Sequence, residues 1–132
     1  MKETILTISE TSFDSNNSLY NNTDGYIITT SSQEIRVGIY NQQDCCEDWG
    51  YFISEDDLNR FIGSQLLEIK ITDELLKQGH FDVNSIYEGG VMFVDFITSK
   101  GVFQFVAYNS HNGYYGHRAG IVSKQLNYNE VL

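Results

Sequence analysis

Proline is missing from all 132 residues, where average usage of about 5% gives roughly six or seven, so the turns fall to Gly, Asn, Asp and Ser. Cysteine is almost missing as well. The two present, Cys45 and Cys46, are neighbours, and a bridge between neighbours strains the peptide link and closes no useful loop, so reduced thiols are expected. Cations are scarce: 8 Lys plus Arg stand against 18 Asp plus Glu, a net charge of −10 and a pI near 4.5. Such a surface repels polyanions and excludes direct binding of DNA or RNA phosphates. No apolar run approaches the length of a membrane span, and Met1-Lys2-Glu3-Thr4-Ile5 lacks the apolar core of a signal peptide, so a cytoplasmic protein without membrane partners is expected. Also missing are a phosphate-cradling Gly-rich loop ending in Lys-Ser or Lys-Thr, a dinucleotide fingerprint, a Gly-x-Ser-x-Gly elbow and a His-Glu-x-x-His helix. The common routes to catalysis are therefore closed, and neither enzyme activity nor a cofactor is expected.

What is present is apolar enough to fold. Hydrophobic residues make up 41% of the chain and aromatics 14%, too many for a disordered acidic tail, and the length suits a single domain, residues 1–132. Thr4–Ser9 is β-branched and reads as a strand; Thr11–Asp24 is polar and reads as a loop, with Asp24-Gly25 as a turn. Tyr26–Thr30 and Glu34–Asn41 follow as strands, the second with Ile35, Val37 and Ile39 alternating against Glu34, Arg36 and Gly38. Between Asp44 and Gly63 the period changes, and Ser54, three residues before Asp57 and just ahead of Leu58, Phe61 and Ile62, predicts a capping box opening a short helix that Gly63 ends. Gln65–Thr72 is again strand-like, and Asp73–Gly79 reads as one more helical turn. Val91–Thr98 and Val102–Tyr108 form a hairpin over Ser99-Lys100-Gly101, and Gly116–Val122 adds a last strand before a short polar tail. The expected class is α+β, a predominantly antiparallel sheet of about six or seven strands with one short helix.

Three constellations bear on function. Asp44, Glu47, Asp48, Glu55, Asp56 and Asp57 place six of the 18 acids within fourteen residues. They read either as a solvated loop and helix start, or as an anionic surface that meets the Arg and Lys of a basic groove in another protein. Calcium is disfavoured because the acids do not follow the EF-hand order. Cys45, Cys46, His111 and His117 are the residue types of a zinc site, but adjacent cysteines on an extended chain point oppositely, so no metal is expected. The same residues allow a cysteine–histidine nucleophile oriented by Asp95 or Asp44, against which stands the commonness of core cysteine. Finally, Ser110-His111-Asn112-Gly113-Tyr114-Tyr115-Gly116-His117 packs small turn-formers around two tyrosines. It reads as a reversal packed over the sheet edge, or as a ligand loop in which Tyr114 or Tyr115 stacks a base or sugar beside His111 and Arg118.

Asp44-Cys45-Cys46-Glu47-Asp48-Trp49, Phe61-Ile62-Gly63 before Leu66-Leu67-Glu68-Ile69, the Thr98-Ser99-Lys100-Gly101 hairpin and Asn112-Gly113-Tyr114-Tyr115-Gly116 together resemble a family of small uncharacterised proteins encoded by phages and prophages. The resemblance runs from about Gln33 to Val122 and leaves residues 1–32, the first strand and polar loop, outside. It implies no established activity but does imply a source. Small acidic phage proteins without catalytic signatures are often inhibitors of host defence, and anti-CRISPR proteins that occupy the DNA-binding surface of Cas9 are similar in size and charge. The expectation is a phage-encoded inhibitor acting in the host cytoplasm, with Asp44, Glu47, Asp48, Glu55, Asp56 and Asp57 set against a basic nucleic-acid-binding protein such as Cas9, whose arginines read the protospacer-adjacent motif. The alternative is a sponge for a small molecule or nucleotide signal that uses His111, Tyr114, Tyr115 and Arg118.

Overall fold

The computed structural model describes residues 3–13, 22–43, 46–76, 89–111 and 115–132. Nine strands follow one another among them: β1 (Ile5–Phe13), β2 (Thr23–Thr30), β3 (Glu34–Tyr40), β4 (Asp48–Ile53), β5 (Leu66–Thr72), β6 (Gly89–Thr98), β7 (Gly101–Ser110), β8 (Arg118–Val122) and β9 (Asn127–Val131). Antiparallel sheet dominates, as the alternation predicts. The strand count of six or seven is corrected to nine, and the helix to a lone 3-10 turn, Leu58–Phe61, with no α-helix among the described residues.

The helix fails for a local reason. Ser54 does not cap it: its main-chain N–H donates to the carbonyl of Gln104 at 2.9 Å and its hydroxyl accepts the Gln104 N–H at 2.9 Å, so Ser54 prolongs the contact between β4 and β7. Asp57 takes the cap instead, accepting the Asn59 N–H at 3.1 Å. Only one turn remains before Gly63 at φ +87° stops it, and a single turn meets the cost of helix nucleation without the gain of propagation. Asp24-Gly25 is not a turn but part of β2, paired with Ser12 and Thr11 of a β1 that runs past Ser9 to Phe13. Asp73–Leu76 forms no helical turn, and the remainder of that predicted element lies outside the described residues. The polar tail is β9, an edge strand whose residues are mostly exposed or half-buried.

The strands build two antiparallel sheets, ordered β1-β2-β3-β8-β9 and β4-β7-β6-β5. Their inner faces meet in one core. Ile28, Ile35, Val37, Ile39 and Ile121 contribute from the first sheet, and Met92, Val94, Phe96, Phe103 and Phe105 from the second. Phe103 stacks on Phe96 at 4.8 Å and 11°, and touches Phe61 of the 3-10 turn at 4.8 Å. At its start β1 is joined to β5 by a Thr4–Gln65 bridge, with the Ile5 N–H on the Ser64 carbonyl at 2.8 Å. Six residues on, Glu10 accepts the Tyr51 hydroxyl of β4 at 2.6 Å. Because β5 and β4 are the two edges of the second sheet, β1 traverses its width, and the strands of the two layers cross steeply.

A row of glycines runs across the first sheet, Gly25 opposite Gly38 and Gly38 opposite Gly120. A Cβ on Gly38 would stand 2.5 Å from the Asp24 carbonyl oxygen and 2.7 Å from Thr23 Cγ2. Backbones approach there more closely than any side chain allows, which is a positional use of glycine in a strand.

Candidate functional site

Alternation on two strands, one in each sheet, builds a polar cluster at one end of the sandwich. In β4, Trp49, Tyr51 and Ile53 turn toward the core, and the same period carries Glu47 inward. In β8, Ala119 and Ile121 turn inward, and one step back along the chain so does His117. The Glu47 and His117 side chains meet across the sheets with Nε2 and Oε2 3.0 Å apart, both fully buried. The other imidazole nitrogen, Nδ1, lies 2.8 Å from the Tyr40 carbonyl oxygen; since a carbonyl only accepts, Nδ1 carries a hydrogen.

Gln43, Trp49 and Tyr40 pack against this pair. Gln43 Nε2 donates to the Glu47 carbonyl at 2.7 Å and to Oε1 at 3.2 Å, while Gln43 Oε1 accepts the Trp49 indole N–H at 3.0 Å. The Trp49 ring stacks on His117 at 5.2 Å and 26°, and the Tyr40 ring leans on it at 5.2 Å and 57°. Asn109 Nδ2 ties the Tyr115 and Leu132 carbonyls at 2.8 and 3.0 Å, and His117 and Leu132 exchange main-chain bonds at 3.1 and 2.9 Å. Losing one member of a buried ion pair strands the other charge and costs about 3–5 kcal/mol. The cluster thus fixes the two segments that carry the distinctive sequence motifs, Cys46–Trp49 and Tyr115–His117, against each other.

A family model described as a domain of unknown function, DUF7448, matches residues 2–121. The chain belongs to the DUF7448 family. No curated protein and no solved structure matches it. The DUF7448 match begins at residue 2 and so takes in β1 and β2, which the motif resemblance leaves outside, and it spans both Glu47 and His117.

In this DUF7448 domain the six-acid segment is not one patch. Asp44 lies outside the described residues, and Glu47 is an inward side chain committed to His117 rather than a surface charge. Asp48 is exposed at the start of β4; Asp56 and Asp57 are exposed beyond its end, beside a half-buried Glu55 that faces Arg60 at 3.5 Å. Between these two groups lies the six-residue strand β4, itself roughly 17 Å long at about 3.4 Å per residue. An open depression of about 290 Å³, lined by Ser54, Glu55, Leu76 and Val102, adjoins the second group, at the small end of the range of ligand sites. Burial and then the Asp48 carboxylate push the Tyr108 phenol above its ordinary value.

The other candidates disperse. Cys45 and Tyr114 lie outside the described residues; Cys46 is exposed. Both ring nitrogens of His117 are engaged, so it has no site left to take a thiol proton. Asp95 points away from the core of β6 and accepts from Gln104 at 2.8 Å and Thr72 at 3.2 Å. His111 and Tyr115 are half-buried, and Arg118 lies exposed on the face of β8 opposite His117, with Nη1 3.4 Å from Asn129 Oδ1. No group of three or more metal-ligating side chains occurs among the described residues. Nor is any helix among them long and apolar enough to cross a membrane. Composition hides the Glu47–His117 pair because its members are 70 residues apart; the signal that finds it is the inward period through residues 47, 49, 51 and 53 and through 117, 119 and 121.

Proposed function

We propose that this chain is a non-catalytic anti-defence protein that sets the carboxylates flanking β4 into a basic nucleic-acid-binding cleft of a host protein, with Cas9 as the specific target and the host cytoplasm as the place of action. One observation carries the reading: Asp48 at one end of an edge strand and Asp56 and Asp57 at the other are exposed on a chain of net charge −10. The length of β4 holds the two groups apart, so they are free to meet separate cations of such a cleft. Glu55 belongs to the second group, and Glu47 leaves the binding set because it faces His117.

The nucleotide-sponge reading draws on His111, Tyr114, Tyr115 and Arg118. Arg118 sits on the outer face of β8 and Tyr114 is outside the described residues, so no observation favours it.

The test is the combined variant Asp48→Asn, Glu55→Gln, Asp56→Asn and Asp57→Asn, assayed for displacement of target DNA from guide-loaded Cas9. Displacement by the wild type, falling steeply with salt, and its loss in a variant whose denaturation is within about 0.5 kcal/mol of wild type are expected. Full inhibition by the neutralised variant, or none by the wild type, refutes the proposal.

A further inference from the structure

We infer that β9 is a self-association edge: two copies of this chain pair their β9 strands antiparallel about a twofold axis at Asn129 and run their first sheets together. The phase of the ladder shows which atoms are open. His117 and Leu132 exchange both main-chain hydrogen bonds, and the Ser123 N–H donates to the Leu126 carbonyl at 3.1 Å. Through the unbroken β8–β9 register, Leu126, Tyr128, Glu130 and Leu132 therefore direct their main-chain groups at β8, and Asn127, Asn129 and Val131 direct theirs away from it. These three residues are exposed, Val131 by 64%. Among the described residues no strand lies beyond β9, so three N–H and three C=O groups stand in a row at the end of the first sheet.

The other three sheet edges are blunted in ways that β9 is not. β1 has an irregular register between Ile5 and Thr7, and its start is bonded to Gly63 and Ser64. β5 is irregular between Leu66 and Glu68, gives its Leu66 N–H to the Glu3 carbonyl and exposes Lys70. β4 has Asp48 at one end and Glu55, Asp56 and Asp57 beyond the other, so antiparallel pairing of two copies there would set acid against acid. β9 has no register shift, no lysine and a single charge, Glu130.

That one charge selects a second copy in one register. With Asn129 facing Asn129 on the axis, Asn127 of each copy faces Val131 of the other, and every open N–H meets an open carbonyl. Glu130 then stands opposite Tyr128 of the second copy in a non-hydrogen-bonded pair, the closer spacing, where a phenol donates to a carboxylate. Moving the axis to Glu130 would put the two carboxylates face to face, which like charge opposes. Moving it to Tyr128 would leave Val131 beyond the start of the facing strand. The strand is thus complementary to itself in charge as well as in hydrogen bonds.

One strand laid on one strand is a small interface, so the dimer is expected to dissociate between about 1 μM and 1 mM. The full chain is followed across that range by sedimentation equilibrium and by amide exchange in NMR spectra. Salt at about 0.15 M screens the two net charges, and reductant keeps the exposed Cys46 from bridging copies. Expected are a rise toward twice the 15.1 kDa mass and exchange slowed at least about tenfold at Asn127, Asn129 and Val131 as the dimer fills. Asn129→Pro removes an N–H that faces away from β8, so β9 keeps its bonds to β8 and the dimer is expected to be lost. A monomer throughout, whose edge would await some other chain, overturns the proposal. So does a dimer in which those three amides stay fast, or one that a folded Asn129→Pro protein still forms. Should Asn129→Pro not fold, the wild-type exchange decides.

Discussion

Gly38→Ala tests the glycine row that lets the strands carrying Tyr40 and His117 pack as they do. The added methyl would stand 2.5 Å from the Asp24 carbonyl oxygen and 2.7 Å from Thr23 Cγ2. Ordinary contact begins near 3.4 Å, so the gap to Asp24 must widen by about 0.9 Å, and the atom in the way is main chain held in the β2–β3 ladder. Overpacking of this kind costs about 1–3 kcal/mol, with the upper end apt for an obstacle that cannot rotate aside. Loss of glycine's freedom in the unfolded chain returns about 0.4–1 kcal/mol. The net destabilisation is about 2 kcal/mol, which for a chain of this length lowers the melting temperature by roughly 6–10 °C. Thermal melts and urea denaturation read it, with Gly63→Ala as comparison. There a Cβ meets nothing within 4 Å, but φ is +87°, so its cost of about 1–2 kcal/mol is conformational and leaves strand spacing untouched. A Gly38→Ala protein melting within about 1 °C of wild type would refute the close approach.

Phe103→Ala removes the ring that joins Phe96 to Phe61 and is expected to cost about 3–5 kcal/mol by chemical denaturation; a loss under about 1 kcal/mol contradicts the packing. Burial works to raise the Glu3 carboxyl, but hydrogen bonds from Thr30, Gln33 and Ser32 at 2.6, 2.7 and 2.9 Å outweigh it and hold the group below its ordinary value. A lowered carboxylate stabilises above its unfolded value and loses that contribution as pH falls through the folded one, so the gap between wild type and Glu3→Gln in melts should close on acidification below the ordinary carboxylate range; a pH-independent gap argues against it. Burial first, and then the hydrogen bond and charge of Glu10, push the Tyr51 phenol well up. Ultraviolet titration of the folded protein should therefore lose its latest-ionising step in Tyr51→Phe, and an unchanged late step contradicts the Tyr51–Glu10 contact.

Alternation made β3 legible, and two aromatic-rich runs about Ser99-Lys100-Gly101 did the same for β6 and β7, which bury residues 92–96 and 103–107 without a break. Alternation failed where one face is not apolar. Before its final Phe13, β1 runs through Glu10-Thr11-Ser12, an edge stretch whose exposed Glu10 is recognisable as a partner only with Tyr51 in view, and β9 alternates exposed with half-buried residues. The strand Asp48–Ile53 was hidden by its flanking acids, which invite a helix start, although Trp49, Tyr51 and Ile53 keep a period of two. For the site, composition located both segments but misjudged Glu47. A carboxylate among carboxylates reads as solvated until the third dimension supplies an imidazole.

The order β1-β2-β3-β8-β9 has a kinetic consequence. The chain leaves the first sheet at Tyr40, builds every strand of the second between Asp48 and Ser110, and rejoins at Arg118. Tyr40 and His117 are bonded across a sequence separation of 77, a closure whose chain-length entropy alone is about 4 kcal/mol for a flexible segment. Pairings inside that excursion shorten it, so β8 and β9 dock economically only after β4–β7 have formed. Refolding should accordingly belong to the millisecond-to-second regime of non-local β topologies, and the buried Glu47–His117 pair marks the neck where the excursion closes.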